Sequence, residues 1–549
     1  MRIGTSYKQH PGLAEKWDAI VIGSGIGGLA TAATLAKLAG RRVLVLEQHY
    51  TAGGFTHTFR RPGYEWDVGV HYIGDVNHPK ASSRRMFDFL TDGQLDWADM
   101  GNVYDRIILG DNAYDFVKGL EPFRAQMHEY FPSEKDAIDQ YLEKVIETAK
   151  KAQTFFAEKA MPPIVSRLFG GMMRRGVTKE ALRTTRDVLE EITQNQELIG
   201  VLTGQFGDYG LVPAQSTFFI HSLVVAHYFR GAAYPVGGSA RIAQTILPVI
   251  EREGGEVLTN AEVTEILIEN GKAVGVEVNG ERELRAPTII SDAGVINTFE
   301  KLVPSELAQS IGYASKARDV QASIAHLSLY VGLKGTTEEL GLEKTNLWVY
   351  PNHRHEENFE RFLADMSAPL PVAYLSFPSA KDPDFQRRYP GHSTIETVTL
   401  GSYDTFKRWE NTSWKKRGAE YDELKASLSE RLLDVIYEHA PGTRGHVEIA
   451  ELSTPLSTQN FAAHPAGAIY GISHDANRFE QRWLRPRTPI KGLYLTGADV
   501  CTAGVAGAMM GGLICSSAVL KGNVLGQVLK HQAQTLRDKA PAPPKPARA

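Results

Sequence analysis

Cysteine is nearly absent: Cys501 and Cys515 are the only two in 549 residues, too few for a disulfide framework or a thiolate metal site. An excess of charge of one sign is also missing. The 60 Lys and Arg against 64 Asp and Glu give a formal net charge of −4, which offers no general electrostatic footprint for nucleic acid. No signal-peptide pattern opens the chain. Residues 1–17 contain Lys8, Pro11 and Lys16 and no apolar stretch, so export by that route is not expected. One long uncharged segment imitates a membrane span, Ala503 to Leu520, at the length where such a reading comes into question. Its glycines and serines, and its place directly after the strand-like LYLTG, point instead to a buried helix. The expectation is a cytoplasmic protein, with peripheral membrane contact left open.

A 42% hydrophobic and 23% charged composition is that of a globular chain. Single cores stop growing near about 250–300 residues, so at least two domains are expected. Glycine is the one excess, 51 residues, and it gathers in particular places. Asp18–Ile22 reads as a short apolar strand, Gly23–Gly28 as a glycine turn, the next residues to about Ala39 as a helix, and Arg42–Glu47 as a second strand. Helical periodicity with many charges fills the chain from about 80 to 230. Strands at Val263–Ile268, Ala273–Val278 and Glu281–Arg285 are separated by Asn270-Gly271 and Asn279-Gly280, the turn chemistry of an antiparallel meander. Strand-like apolar runs at 320–333, 371–377 and 394–400 suggest a second sheet. The final QTLRDKAPAPPKPARA is expected to be disordered.

Gly23-Ser24-Gly25-Ile26-Gly27-Gly28 fits G-x-G-x-x-G, in which the glycines allow a tight turn, close phosphate approach and close helix–strand packing. The helix N-terminus that follows offers free N–H groups to a diphosphate. Glu47 closes the second strand nineteen residues after Gly28, where a carboxylate accepts both ribose hydroxyls. A second pair, Gly53-Gly54, follows, and near the end of the chain the strand GLYLTGAD runs into Asp499 and a glycine-rich helix start. A long, extended cofactor needs such a return of the chain; an NAD dehydrogenase of this length does not.

The stretches VIGSGIGGL, VLVLEQHYTAGGFTHTF, WDVGVHYIG, YPVGGSARIAQTILPVIEREGGEV and LYLTGADVCTAGVAGAMMGG carry a resemblance. Together they resemble the FAD-dependent phytoene desaturase and carotenoid isomerase superfamily, and within it most the retinol saturase branch, over roughly residues 17–525. The resemblance implies an α/β fold: a Rossmann-like FAD-binding domain of the glutathione-reductase type, a mixed β-sheet substrate domain and a helical cap. It divides the chain into FAD-binding parts at 17–80, 236–300 and 481–530, a mainly helical cap at 81–235, a substrate domain at 301–480 and a tail at 531–549. It implies that Gly23, Ser24, Gly25, Gly27 and Gly28 hold the FAD diphosphate and that Glu47, with Gln48, holds the adenosine ribose. Gly53, Gly54 and Phe55 would pass along the flavin, Val263 would meet adenine through its backbone, Asp499 would bind the ribityl or diphosphate region, and Val505 would abut the isoalloxazine. Many relatives carry a basic residue where this chain has Phe55.

Flavin supplies the hydride chemistry, so the protein's tasks are orientation, exclusion of water and at most one proton transfer. His71 and Tyr72, shortly after the glycine pair, are the candidate proton donors, although His71 packed against the flavin or bonded to a backbone carbonyl serves equally. His221 and His227, six apart, lack the spacing of a helical metal pair, and no metal site is expected. Residues 155–175 mix Phe155, Phe156, Leu168, Phe169, Met172 and Met173 with Arg167, Arg174 and Arg175, a composition that suits either a surface helix on a membrane or a cap helix over the core. The leading expectation is hydrogen addition to, or removal from, a carbon–carbon bond of a long apolar substrate: a retinoid, carotenoid or similar polyene. A fatty-acyl desaturase and a redox-neutral polyene isomerase share this text. The electron partner is an outside quinone, dioxygen or NAD(P)H, because no second nucleotide motif is present. In another class stands a non-catalytic prenyl-lipid carrier of the GDP-dissociation-inhibitor type, against which Glu47, Gly53-Gly54 and Asp499 argue together. An amine oxidase of the same fold stays open.

Overall fold

The computed structural model describes residues 3–10 and 12–530; the tail at 531–549 lies outside the described residues. Two sheets organise the chain. The first is wholly parallel, with six strands in the order Thr5–Ser6, Glu256–Thr259, Val43–Glu47, Ala19–Ile22, Ile289–Ser291 and Leu493–Leu495. Helices cover it, so its inner strands read as unbroken apolar runs rather than alternating ones; Ala19–Ile22 and Val43–Glu47 are buried along their whole length. The meander Val263–Glu269, Lys272–Val278 and Arg282–Arg285 stands beside it. Asn270 and Asn279 take φ of 50° and 54°, each followed by a positive-φ glycine, the turns that Asn-Gly favours.

The run that imitates a membrane span is the helix Gly504–Leu520, with Met509 and Gly511–Val519 buried. Among the described residues no helix is long and apolar enough to cross a membrane. It packs on Ile26–Ala39, which also meets Ala240–Glu251. Glycine permits the crossing. A Cβ on Gly512 would lie 2.6 Å from the Gly27 carbonyl oxygen and 2.8 Å from Ala30 Cβ, and one on Gly511 would lie 2.2 Å from the Gly497 carbonyl oxygen.

The second sheet has seven strands, in the order Val447–Ser453, Ala325–Lys334, His392–Gly401, Ala373–Ser376, Asn346–Tyr350, Val103–Leu109 and Asn112–Val117. Neighbours are antiparallel except Asn346–Tyr350 with Val103–Leu109. Residues 81–235 are therefore not helical throughout: 103–117 form the far edge of this sheet. Polar residues inside VYDRIIL and NAYDFV obscure their apolar pattern. The helices Leu120–Tyr130, Lys135–Ala160, Pro163–Ala181 and Phe218–Tyr228 form the cap, whose aromatic interior includes Phe155, Phe219 and Phe479. His221 and His227 are held within it. His221 contacts the Tyr141 hydroxyl at 2.8 Å and the Tyr209 hydroxyl at 3.1 Å, while His227 Nε2 accepts from Gly74 N–H at 2.9 Å. No group of three or more metal-type side chains gathers among the described residues.

The helix crossing yields a stability prediction. Gly512→Val should lower stability by about 3 kcal/mol or more, because rigid backbone stands where its side chain must go. Gly171→Ala, on an exposed helical position with open space around it, should be neutral or stabilising by about 0.5–1 kcal/mol. Urea unfolding of both variants checks the contrast.

Candidate active site

One cavity of about 850 Å³ is lined from both sheets. Its first arm passes Gly23, Gly25 and Gly27 and reaches Glu47, Gln48 and Val263; its middle passes Gly54, Phe55, Asp499 and Val505; its last arm enters the second sheet at Tyr330, Trp348, Tyr374 and Val398. Ser24, Gly28 and Gly53 stand just behind this wall. Ser24 donates to Glu47 Oε2 through its N–H at 2.9 Å and its hydroxyl at 2.6 Å, and its Oγ accepts from Gly53 N–H at 3.1 Å. His49 N–H donates to the other Glu47 oxygen at 2.8 Å. One carboxylate thus ties the glycine turn, the strand end and the Gly53-Gly54 loop into a single unit.

Two helices open on this cavity with N-termini that no N-cap side chain covers. Neither Gly25 before Ile26–Ala39 nor Ala503 before Gly504–Leu520 supplies a side-chain cap, so the first N–H groups of both point at the cavity's contents. A Cβ on Gly27 would lie 2.4 Å from Gly497 Cα, and one on Gly54 would lie 2.9 Å from Gly25 Cα. Any side chain there would fill the cradle. Asp499 fixes the middle of the cavity: its oxygens accept from Val295 N–H at 2.8 Å and Ile472 N–H at 3.1 Å, joining three distant segments.

Sequence reasoning missed Asp292. It follows the strand Ile289–Ser291, just as Glu47 ends its own strand, and this acid after an apolar run was the available signal. Its carboxyl lies over the glycine turn: a Cβ on Gly25 or on Gly27 would come within 2.6 Å of it. Gly28 N–H bonds to it. Burial, and then the nearby Glu47 and Asp499, push this carboxyl up to about 8, so it is neutral at neutral pH where a diphosphate must approach.

The two candidate proton donors part company. His71 lines the cavity, with Nδ1 3.0 Å from Glu396 Oε2. Burial, and then the Lys381 ammonium, hold the imidazole down to about 3, so the cationic acid expected of it does not form near neutrality. Lys381 is itself anchored by the His71 carbonyl at 3.0 Å and Ser376 Oγ at 2.7 Å. Tyr72 turns away from the cavity; its hydroxyl lies 2.8 Å from Asp105 and 3.0 Å from Asp208.

An elongated cavity with two open helix N-termini, a strand-ending carboxylate at one end and a substrate-sized apolar arm at the other defines a class, the FAD-dependent oxidoreductases. FAD fits the cradle, and when bound it supplies hydride exchange at its flavin ring. Comparison with known proteins agrees. The family model described as flavin containing amine oxidoreductase matches residues 26–520. All-trans-retinol 13,14-reductase of Danio rerio is 38% identical over 529 residues, covering 93% of this chain and 87% of that one. Prolycopene isomerase 2, chloroplastic, of an Oncidium hybrid cultivar is 28% identical over 530 residues, covering 92% and 84%. Among solved structures, an oxidoreductase from Methanosarcina mazei superposes with a TM-score of 0.60 at 18% identity, covering 92% of this chain and 100% of that one. The chain belongs to the flavin containing amine oxidoreductase family.

Asp292 gives this site a pH dependence of known sign. Its folded pKa is raised, so the carboxyl is neutral below about 8 and anionic above it, and only the neutral form tolerates a diphosphate. FAD affinity should fall as pH rises through that value, by up to about tenfold per pH unit for one linked proton. Asp292→Asn should flatten the alkaline loss. Titrating the apoprotein with FAD, followed by flavin fluorescence, measures both.

Proposed function

We propose that this chain adds hydrogen across a carbon–carbon double bond of a long polyene, a retinoid or carotenoid, with its FAD held as follows. Gly23, Gly25 and Gly28 and the helix start behind them take the diphosphate, Glu47 and Gln48 the adenosine ribose, and Val263 the adenine. Gly54, Phe55 and Val505 flank the flavin. The carrying observation is the continuity of the cavity from this cradle into an arm lined by Tyr330, Trp348, Val372, Tyr374, Val398 and Leu400. Such walls suit a flat, conjugated, apolar chain. The ionisable groups there support the reading. Burial, the first cause in each case, holds His57 and His326, both on the cavity wall, down to about 4, so neither carries charge there at neutral pH. The retinol reductases among the relatives favour saturation over desaturation as the direction. An external two-electron donor would recharge the cofactor.

Membrane contact is part of this proposal. The helix Pro163–Ala181 is turned inside out. Its inner stripe, which ends on the core residue Val177, carries two polar groups: Ser166 and Arg174 are buried against Glu158, which Arg485 also bonds at 2.8 Å. Its outer stripe is apolar: Ile164, Leu168 and Met172, one turn apart, are 75%, 71% and 72% exposed, with Phe169 beside them at 52%. Exposed Arg167 and Arg175 flank the stripe. An apolar stripe edged by arginines on a surface helix suits the headgroup boundary of a bilayer, from which a polyene would be drawn.

Two measurements test the proposal. Under anaerobic conditions, chemically reduced flavin should reoxidise when all-trans-retinol is added. Bleaching of oxidised flavin by a lipid would instead mark a desaturase, and a protein retaining no flavin after incubation with FAD would leave a carrier. Replacing Leu168, Phe169 and Met172 together with Ser should weaken co-sedimentation with liposomes by about tenfold or more per side chain, since burying each contributes about 1.5–3 kcal/mol. Flavin content should not change.

A further inference from the structure

Tyr72 leads to an acid that the sequence did not single out. Its hydroxyl lies between two carboxyl groups, 2.8 Å from Asp105 Oδ2 and 3.0 Å from Asp208 Oδ2. A phenol has one proton to give. It can donate to one of these acids, and the other must then carry a proton of its own and donate back to the phenol oxygen, because two carboxylates cannot both face a single proton at that distance.

Their surroundings decide which acid is ionised. Asp105 is 0% exposed and rich in donors: Asn346 Nδ2 gives to Oδ1 at 2.8 Å, and Gln205 Nε2 gives to Oδ2 at 2.7 Å. Lys381 Nζ, whose pKa burial brings down to about 7, bonds Asn346 Oδ1 and stands one residue behind. Asp208 has poorer company. It closes the short turn Phe206–Asp208 and faces the cavity, and its partners besides Tyr72 reduce to the Tyr228 hydroxyl. Burial, and then the Asp105 charge, push its carboxyl up to about 8. The proton belongs on Asp208, the member of the pair that the cavity reaches. Asp208 also enters beside the flavin-facing wall. The Gly207 carbonyl accepts from the Tyr470 hydroxyl at 2.9 Å, and Ile472, two residues on from Tyr470, gives its N–H to Asp499.

We infer that Asp208 is the acid that protonates the substrate carbon during saturation, an inference that rests on the polyene reading above. The Asp208 O–H bond breaks and a C–H bond forms at one alkene carbon from the π electron pair, while the other carbon takes a hydride from the reduced cofactor, which is thereby oxidised. A two-electron donor such as a reduced nicotinamide restores the cofactor, and solvent restores the proton. Between these events the new carboxylate keeps the Tyr228 hydroxyl as its donor. Asp105 is a positioning residue: its charge commits the Tyr72 proton and leaves Asp208 to hold its own.

Infrared spectroscopy and anaerobic flavin reoxidation test the inference together. At neutral pH the spectrum of wild type minus Asp208→Asn should contain the carbonyl band of a protonated carboxylic acid; absence of that band overturns the assignment. With all-trans-retinol as probe, reoxidation of chemically reduced flavin should be about 10²–10⁴-fold slower in Asp208→Asn, the usual worth of a general acid, with flavin content and chemical reduction unchanged. Reoxidation within a few-fold of wild type overturns the role. Asp208→Ala, which leaves a space, should regain rate with added acetate, and failure of that rescue counts against proton transfer. If wild type itself is not reoxidised, the polyene reading has failed and takes the proton's destination with it; a persisting infrared band then separates that failure from a wrong assignment of the proton.

Discussion

Backbone meets backbone without an intervening Cβ where Gly27, Gly497, Gly511 and Gly512 come together, and the rest of the molecule depends on that contact. It brings the helix Ile26–Ala39 and the helix Gly504–Leu520, from opposite ends of the chain, close enough to open on one cavity. Thr31 secures the junction by bonding the Gly27 carbonyl and the Thr496 hydroxyl, both at 2.8 Å. Two helix N-termini near each other repel through their dipoles, so the arrangement calls for negative charge between them. Asp292 lies at that place but is neutral at neutral pH, so a diphosphate supplies the charge. Close packing and cofactor binding are therefore one constraint: the glycines that admit the second helix also leave room for the ligand that stabilises it.

The same cavity suppresses charge. Burial holds His57 and His326 down and pushes Asp208 and Asp292 up. Desolvation of this kind costs more than the neighbouring hydrogen bonds return for the ionised forms. The result is a cavity with polar atoms and little net charge, hospitable to an apolar chain yet holding a proton on an acid. Burial raises Asp105 as well, but Asn346, Gln205 and Tyr72 supply the donors that make it the better placed of the pair to carry the charge.

The parallel sheet was legible in the sequence because its information is local. An apolar strand, a glycine turn and an acid ending the next strand are read within thirty residues of one another, and Asn270-Gly271 announces its own turn. The second sheet was only half legible. The strand Val103–Leu109 pairs with Asn346–Tyr350, more than two hundred residues away, and the Asp105 that breaks its apolar pattern is buried against partners 33, 100 and 241 residues away. Asp208 and Asp292 were passed over for the same reason: an acid's role depends on what faces it, and what faces these two is fixed by tertiary packing. The mixed stretch 155–175 divides on similar grounds. Phe155 and Phe156 are 2% and 8% exposed within the cap, whereas the apolar residues one helix later face outward.

That outward stripe has a structural cause. Glu158 is fully buried and is bonded by Ser166 and Arg485, with Arg174 3.7 Å away. A buried ion cluster is weak evidence for stability, since apolar residues of similar volume often serve as well. Its value lies in orientation. A helix carrying Ile164, Leu168, Phe169 and Met172 on one side would gain about 1.5–3 kcal/mol per side chain by rolling that side against the cap. Pairing the opposite side with Glu158 opposes such a roll, which would leave Glu158 with Arg485 alone and part it from Ser166 and Arg174. The cluster thus sets which side of the helix faces inward, and an apolar surface left in the open has a physical rationale where it meets a partner as apolar as itself.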